Sequence, residues 1–313
     1  MISVIRALLL RPVEVGNAHL VVTRLQSSPY HCPAPRASAG LMTHCRSVSI
    51  GLLDPSQVDE AASPPLVTTF LDAMERVRHA SFRHAASKRN FLFGRVLAKS
   101  LVARQFACAP SEVHIAYDRD GKPLFAEPTS ARLVSVSISH TDGLVAVATG
   151  GVSRLGIDVE NVDRPARHLP LTRRILAEDE LRDVLACSQA GRVDRFLQYW
   201  TLKEAWAKSV GVGLGARFSD IEFDLQTSAA PAPMTVERCS GLHGPTSLAR
   251  VGNRHLLALS FGGAEAVRIE WLIWNPHQEH DNLFQAGPPK LQFLPASLRA
   301  VPGDHGALAG TDD

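Results

Sequence analysis

A repeated order of secondary-structure elements is the feature that most restricts the fold of this chain. On either side of Gly150-Gly151, the pattern of apolar and polar residues predicts a strand, then helices, then further strands. The strand that opens the first copy alternates Val48, Ile50 and Leu52 with small residues. The repetition predicts an α+β fold made of a pseudo-twofold pair of similar lobes, each a small antiparallel sheet packed with helices.

The elements and the parts of the chain follow from this pattern. In the first copy we expect strands at 47–53, 112–125 and 133–149, and helices at 65–79 and 85–107. In the second copy we expect strands at 154–161, 218–225 and 255–274, and helices at 177–188 and 192–209. Segments rich in Pro, Ser, Ala and Gly or in polar residues flank the two copies. The predicted parts are a flexible N-terminal arm over 1–45, an N-terminal lobe over 46–150, a C-terminal lobe over 151–275 and a flexible C-terminal tail over 276–313.

Composition restricts the partners and the compartment. The net charge of +2 over 313 residues is too small to indicate nucleic acid or an anionic membrane as a partner of the whole molecule. Five scattered cysteines without a C-x-x-C pair indicate neither a disulfide framework nor a thiolate zinc site, so we expect a reducing, cytoplasmic setting. The run "ALLL" at 7–10 is too short to span a bilayer. Residues 1–52 contain one acidic residue, Glu14, and several Arg and Ser residues, a composition that also fits an organellar transit peptide. A disordered arm, or a start codon assigned too far upstream, is the favoured interpretation.

Two carboxylates lie side by side on the strand "LGIDVEN". Leu155, Ile157 and Val159 point to one face of this strand, and Asp158 and Glu160 point to the other. Neighbouring like charges repel, so one carboxyl group should have a raised pKa unless a cation such as Mg²⁺ lies between them. An edge strand with a solvated acidic face is an equal alternative at this point.

A helix 40 residues later adds a third carboxylate. In "WTLKEAWAK" at 200–208, Trp200, Glu204 and Lys208 are four residues apart and share one helical face. Taken alone, Glu204 and Lys208 would be interpreted as a surface salt bridge. Magnesium sites that act on phosphates use a few carboxylates together with substrate oxygens. Asp158, Glu160 and Glu204 together therefore indicate a magnesium site more strongly than any one of them alone.

A basic stretch could supply cations for a phosphate. Residues 76–111 contain eight Lys or Arg residues and no acidic residue. Guanidinium groups bind phosphate, so a phosphate-rich ligand would suit this region, although a solvated helix face or an RNA surface is also possible. The scarcity of interleaved aromatic residues argues against RNA. His140, at the end of a strand, could contact a phosphate or only cap a turn.

Four motifs together resemble the 4'-phosphopantetheinyl transferase superfamily, in its two-lobed surfactin-synthetase-activating type. They are "GKP" at 121–123, "SISH" at 137–140, "GIDVE" at 156–160 and "WTLKEAWAK" at 200–208, in the order and spacing of that family. The resemblance covers roughly 46–275, and residues 1–45 and the last 38 or so match nothing in it.

The resemblance implies a role for each matching residue. Asp158, Glu160 and Glu204 would hold Mg²⁺ in the C-terminal lobe, against the pyrophosphate of coenzyme A. The remaining coenzyme A contacts would come from Lys208 and Lys203 at the phosphates, Ser139, His140 and Arg89 at the 3'-phosphate end, and Lys122 and Pro123 at the adenine. Lys88 is an alternative to Arg89, because the family's basic residue matches Arg89 only with a one-residue shift. Glu204 and Glu180 are both candidates for the general base, and Glu204 is favoured.

The implied reaction is transfer of phosphopantetheine from coenzyme A to a serine of an apo acyl, peptidyl or aryl carrier protein. Adenosine 3',5'-bisphosphate would be released, as in fatty acid, polyketide or nonribosomal peptide biosynthesis. The resemblance also implies a monomer. The small net charge and the scarcity of interleaved aromatic residues predict no nucleic acid or membrane partner. The alternatives are a non-catalytic module that binds coenzyme A or a carrier protein, and a Mg²⁺-dependent nucleotide hydrolase.

Overall fold

A computed structural model supplies the three-dimensional arrangement of these elements. It describes residues 46–59, 63–163, 172–212, 217–225, 236–238, 246–262, 266–274, 284–286, 291–294 and 297–300. These residues belong to one compact unit over 45–313, and the predicted arm lies outside the described residues. None of the described helices is long and apolar enough to cross a bilayer.

Helices and strands contribute similar numbers of residues to the described part of the chain. The helices are α1 (Ser63–Phe70), α2 (Ala73–Ser81), α3 (Ala85–Phe106), α4 (Thr172–Ile175), α5 (Glu178–Ala186) and α6 (Gly191–Val210). The strands are β1 (Arg46–Leu53), β2 (His114–Tyr117), β3 (Pro123–Glu127), β4 (Ser135–Thr141), β5 (Leu144–Gly150), β6 (Arg154–Asn161), β7 (Glu222–Asp224), β8 (Val236–Arg238), β9 (Thr246–Val251), β10 (His255–Gly262), β11 (Ala266–Trp274), β12 (Phe284–Ala286), β13 (Leu291–Leu294) and β14 (Ser297–Ala300).

These strands form two main sheets and a short pair. The first sheet has the order β12-β11-β1-β5-β4-β3-β2, with β8 also on β11, and the second has the order β13-β9-β10-β6. Strands β14 and β7 pair separately. Among the described strands, β1 and β11 form the one parallel pair. The predicted α+β class with antiparallel sheets and helices is confirmed, and β11 joins a sheet whose other long strands come from before Gly151.

Alternating side chains divide the core into layers. Leu53 on β1 and Val147 on β5 pack against α3, whereas Ile50 on β1 packs against the second sheet. On the outer side of the second sheet, α6 packs with Leu202 and other apolar residues against β9 and β10. Each main sheet therefore carries one long helix on its outer face, and the two sheets share an apolar layer. The division into two lobes at residue 150 stays a prediction.

Three local features differ from the sequence-based expectation. The helix expected over 65–79 is broken between α1 and α2, because Asp72 caps α2 by accepting a hydrogen bond from the Glu75 backbone nitrogen at 2.8 Å. Strand β9 was not expected, since "TSLARV" has no strict alternation. Strands β12 and β13 pair with β11 and β9, so part of the predicted flexible tail joins the sheets.

Gly156 on β6 allows α6 to approach the sheet with its backbone. A Cβ atom at this position would overlap the carbonyl oxygen of Ala205 and lie 2.5 Å from the backbone nitrogen of Ser209. Both atoms belong to the helix backbone and cannot turn aside as a flexible side chain can. A hydrogen atom at this position is therefore a condition for the observed distance between β6 and α6.

We predict that Gly156→Ala destabilises the protein by about 2 kcal/mol or more, because overpacking a close backbone contact costs about 1–3 kcal/mol. Urea unfolding monitored by circular dichroism measures the change. Gly262→Ala is the matched control in the same sheet, since its Cβ would meet Arg154 Cβ at an ordinary 3.7 Å. We expect the control to change stability by no more than about 0.5 kcal/mol. Equal effects of the two substitutions would contradict this account of Gly156.

Candidate active site

Strand β6 presents its two carboxylates to a cavity beneath α6, where both are nearly buried. Ile157 and Val159 face the layer between the sheets. Asp158 and Glu160 point to the opposite face and are 5% and 8% exposed. The predicted alternation is confirmed, and the alternative of a solvated acidic edge is wrong, because α6 covers this face of the strand.

Helix α6 supplies the opposite wall of that space. Trp200, Glu204 and Lys208 lie on successive turns, and all three line a cavity of about 250 Å³ together with Asp158 and Glu160. Ile138, Ser139, His140 and Val159 complete the lining of this carboxylate cavity. The three carboxylates that the sequence predicts to form one site therefore converge on one cavity.

Lys208 is paired across the cavity with Asp158. Its Nζ lies 2.6 Å from Asp158 Oδ1 and donates to Ser139 Oγ at 3.0 Å. Ser139 in turn donates to the same Asp158 oxygen at 2.8 Å. Lys208 therefore bridges α6, β4 and β6, and the interpretation of this lysine as one half of a surface salt bridge with Glu204 is not supported.

Side-chain hydroxyls on β4 hold the edge of β6 that does not pair with β10. Three hydroxyls accept hydrogen bonds from backbone N–H groups of β6: Ser137 Oγ from Ile157 at 3.0 Å, Ser139 Oγ from Val159 at 3.3 Å, and Thr141 Oγ1 from Asn161 at 3.2 Å. We call these three side chains the hydroxyl ladder. It satisfies backbone donors that would otherwise be buried without a partner, and it fixes β6 beside β4.

Trp200 orients Glu160. Its indole Nε1 donates to Glu160 Oε1 at 2.8 Å. The ring is held by Phe196, which stacks on it at 6.5 Å between centroids, and by Phe218, which meets it edge-on at 5.7 Å. The sequence places Trp200 one turn before Glu204 on the same helical face, but only the structure reveals its hydrogen bond to Glu160.

Glu204 has the most perturbed carboxyl group of the site. Burial, together with the neighbouring charges of Asp158 and Glu160, raises its pKa to about 7, and Lys208 opposes this shift in part. Glu204 Oε1 and Asp158 Oδ2 are buried without a hydrogen-bond partner among the described residues. Two orphaned carboxylate oxygens in one cavity are suitable donors for a hard cation such as Mg²⁺. In this conformation, no group of three or more His, Cys, Asp or Glu within the described ranges is arranged to hold a metal ion.

His140 lies at the rim of the cavity. Burial, with a further contribution from Lys208, lowers its pKa below the usual range. Its Nδ1 lies 3.4 Å from Asn90 Nδ2 on α3, so α3 also reaches the cavity rim. The sequence analysis did not single out Asn90, which follows the basic pair Lys88-Arg89.

Arg89 and Lys88 do not line the carboxylate cavity. Arg89 Nη2 instead donates to the carbonyl oxygens of Pro55 and Val58, at 3.2 Å for Val58. The contact of Arg89 with a coenzyme A phosphate, expected from the resemblance, is not preformed, because its guanidinium group already holds the turn after β1.

Glu180 and Lys203 also lie away from the cavity. Both side chains are 0% exposed, and they pair with each other at 2.6 Å. Burial raises the pKa of Glu180 and lowers that of Lys203, since it disfavours the charged form of each group. The placement of these two residues against substrate, as base and phosphate ligand, is therefore not supported by the geometry.

Part of the basic stretch is paired within the protein. Glu75 on α2 pairs with the buried Arg95 at 2.9 Å and the buried Lys99 at 2.7 Å, and on the surface Arg104 pairs with Glu270 at 2.8 Å. Burial with Glu75 leaves Arg95 and Lys99 unavailable to the phosphate-rich ligand that the stretch would suit. Glu75 precedes the stretch by one residue, so only the tertiary structure reveals the pairing.

A second cavity, of about 550 Å³, contains the "GKP" motif. Lys122 and Pro123 line it with Arg154 and with the end of α6 at Ser209–Gly211. Lys122 Nζ donates to the Ser209 carbonyl oxygen at 3.0 Å, and burial lowers the pKa of this lysine. Lys122 thus contacts the last turn of α6, which also carries Lys208.

Sequence comparison connects this geometry to a family. The model of the 4'-phosphopantetheinyl transferase superfamily matches residues 154–258, and the model of the N-terminal part of 4'-phosphopantetheinyl transferase matches residues 62–151. The chain belongs to the 4'-phosphopantetheinyl transferase superfamily. The resemblance inferred from the four motifs is confirmed, as is the prediction that the chain is an enzyme of this transferase class.

Individual relatives agree with the family. A phosphopantetheinyl transferase of Thraustochytrium sp. is 25% identical over 64% of this chain and 75% of the relative. The 4'-phosphopantetheinyl transferase Sfp of Bacillus subtilis is 28% identical over 47% of this chain and 62% of its own length. The human L-aminoadipate-semialdehyde dehydrogenase-phosphopantetheinyl transferase is 26% identical over 48% of this chain and 52% of its own length. The chain thus spans between about half and three quarters of these proteins.

One solved structure is also similar in sequence. The holo-[acyl-carrier-protein] synthase of Thermotoga maritima is 32% identical over 36% of this chain and 64% of its own, with a TM-score of 0.27. A TM-score this low carries no weight for the fold.

We predict that Glu204 costs stability at neutral pH in the metal-free protein. A carboxyl pKa raised from 4.5 to about 7 on folding means that stability falls as pH rises from about 4.5 to 7 and stays low above that. Glu204→Gln removes this loss, so the melting temperature of the variant minus that of the wild type should increase by a few degrees between pH 5 and pH 8. Thermal melting in EDTA measures this difference. Asp179→Asn, an exposed carboxylate on α5, is the control, and a pH-independent difference for Glu204→Gln would contradict the prediction.

Proposed function

We propose that this protein transfers 4'-phosphopantetheine from coenzyme A to a serine of an apo acyl or peptidyl carrier protein, in a Mg²⁺-dependent reaction that releases adenosine 3',5'-bisphosphate. The observation that carries the proposal is the convergence of three carboxylates and Lys208 on one cavity. Family membership and the printed names of the relatives support the transferred group.

The carboxylates of the cavity are the residues that would hold a magnesium ion. Asp158, Glu160 and Glu204 offer carboxylate oxygens, and the buried Asp158 Oδ2 and Glu204 Oε1 have no other described partner. A bound Mg²⁺ would neutralise charge on the pyrophosphate and on its leaving group. Trp200 would keep Glu160 aimed into the cavity, and the hydroxyl ladder would keep β6 in place.

The chemical step can be written from this chain's residues. The carrier serine oxygen forms a bond to the phosphorus that bears the pantetheine arm, and the bond from this phosphorus to the oxygen of adenosine 3',5'-bisphosphate breaks. Lys208 would leave Asp158 for a phosphate oxygen of the leaving group. Glu204, directly or through a water molecule, would take the serine proton. The burial of Glu180 favours Glu204 over Glu180 for this role.

The two ends of coenzyme A would follow the walls of the cavities. His140 lies at the rim and Ser139 in the cavity beside it, where a phosphate could bind, and Lys122 with Pro123 would contact the adenine in the second cavity. Arg89 or Lys88 would reach the 3'-phosphate after a side-chain rearrangement. Free thiols at Cys108 and Cys187 are compatible with the cytoplasm, and we expect the protein to act as a monomer.

The decisive assay is intact-protein mass spectrometry of an apo carrier protein incubated with this protein, coenzyme A and Mg²⁺. We expect a gain of about 340 Da, the mass of the phosphopantetheinyl group, and no gain in EDTA. No gain on several carriers, despite measurable coenzyme A binding, would favour a non-catalytic binding module. Release of adenosine 3',5'-bisphosphate without any carrier would favour a hydrolase.

We predict that Asp158→Asn lowers the transfer rate by at least about 100-fold, since even residues that only support metal ligands contribute about 10–100-fold. The matched control is Asp163→Asn, an exposed aspartate just after β6 that pairs with Arg254 at 2.9 Å. The control should transfer at the wild-type rate. Wild-type transfer by Asp158→Asn would contradict the assignment of the site.

A further inference from the structure

Lys203 is saturated with protein acceptors. Its Nζ lies 2.6 Å from Glu180 Oε2, donates to the Phe218 carbonyl oxygen at 2.7 Å and also donates to the Ile221 carbonyl oxygen. An ammonium group has three N–H donors, and these three acceptors match that number. The side chain is also fully buried, so Lys203 has neither a donor nor access for a substrate phosphate.

Glu180, the acidic partner of Lys203, also accepts hydrogen bonds from the surrounding backbone. We call this ion pair and its backbone contacts the anchor of α6. Its Oε1 accepts a hydrogen bond from the Phe223 backbone nitrogen at 2.8 Å, and its Oε2 accepts one from the Ala177 backbone nitrogen at 2.8 Å. The ion pair therefore joins α6 to the start of α5 and to the segment 218–223. Each charged group has its hydrogen bonds satisfied within the protein.

Helix geometry connects this anchor to the cavity. Successive residues of a helix are about 100° apart, so Lys203 and Glu204 point in different directions from the same turn. A rotation of α6 by about 20° would move side-chain ends, at about 5–6 Å from the axis, by about 2 Å. Displacements of this size at a reacting group can cost about 100-fold in rate.

A buried ion pair is a poor way to gain stability alone, because the desolvation of both charges offsets their attraction. A pair of apolar side chains of similar volume would fill the same space between α5 and α6. Unlike apolar packing, the ion pair specifies the orientation of α6 about its axis, because its hydrogen bonds are all satisfied in one orientation only.

We propose that Lys203 and Glu180 are positioning residues, which set the rotation of α6 so that Trp200, Glu204 and Lys208 face Asp158 and Glu160. This inference rests on the proposed function for its kinetic consequence. It replaces the contact between Lys203 and coenzyme A that the motif resemblance implies, and it gives Glu180 a role other than general base.

The test compares Lys203→Met, Glu180→Gln and the double variant Glu180→Gln/Lys203→Met. The double variant leaves no unpaired buried charge, so it remains available if a single variant does not fold. Asp179→Asn, the exposed neighbour of Glu180 on α5, is the matched control. Steady-state transfer gives kcat and KM, and calorimetry gives the dissociation constant of coenzyme A.

We expect both single variants to lower kcat by at least about tenfold, with KM and the dissociation constant of coenzyme A within about twofold of the wild type. The losses should not add in the double variant, because the two residues act as one unit. A rise of tenfold or more in the dissociation constant for Lys203→Met alone, with kcat kept, would overturn the inference in favour of a phosphate contact. Unchanged kcat and KM in folded variants would overturn it in favour of a purely structural role.

A spectroscopic signal separates this inference from the proposed function. The indole N–H of Trp200, which donates to Glu160, can be followed by NMR in protein labelled with ¹⁵N-tryptophan and assigned through Trp200→Phe. Both single variants should shift this signal in the same direction, and Asp179→Asn should not. If the wild type transfers nothing to any carrier, the proposed function fails, while this signal still decides the positioning role; an unmoved signal in both variants overturns it.

Discussion

The close contact between the backbones of β6 and α6 at Gly156 is the constraint on which the site depends. The strand supplies Asp158 and Glu160 within four residues after this glycine. The helix supplies Glu204 just before the contacted turn and Lys208 within it. A side chain at position 156 would separate the two elements and enlarge the space between the carboxylates. One missing side chain therefore determines whether four charged groups share a cavity of about 250 Å³.

The cluster that results is electrostatically costly without a cation. Three carboxylates converge with one lysine, burial and mutual repulsion raise the pKa of Glu204 to about 7, and two carboxylate oxygens lack a described partner. The surroundings offset this cost through directed hydrogen bonds: the hydroxyl ladder holds β6, Trp200 holds Glu160, and the Lys203–Glu180 pair holds α6. The proposed magnesium ion and the phosphates of the proposed substrate would both interact with these charges.

The sequence predicted the elements and the central carboxylates well, because both depend on local periodicity. Alternation along β6 separates Ile157 from Asp158, and the four-residue spacing on α6 aligns Trp200 with Glu204. Pairings between distant residues could not be predicted this way. Glu75 neutralises two cations of a stretch that contains no acid, and the start of α2 depends on a capping interaction of Asp72.

Lys203 shows most clearly what a local sequence pattern cannot predict. It stands beside Glu204 in the sequence motif, yet adjacent residues of a helix face different directions, and only the packing of α5 and 218–223 reveals that Lys203 is buried. Motif membership indicates that a residue matters, whereas the tertiary structure distinguishes contact with the substrate from support of the site.

The most direct test of the central claim is an anomalous-scattering map from a crystal of the full chain soaked with Mn²⁺ in place of Mg²⁺. The account predicts one strong peak in the carboxylate cavity, within about 2.0–2.3 Å of oxygens from Asp158 and Glu204, with Lys208 moved away from Asp158. A fully loaded crystal whose anomalous peaks all lie elsewhere, with the Lys208–Asp158 pair intact, would contradict it.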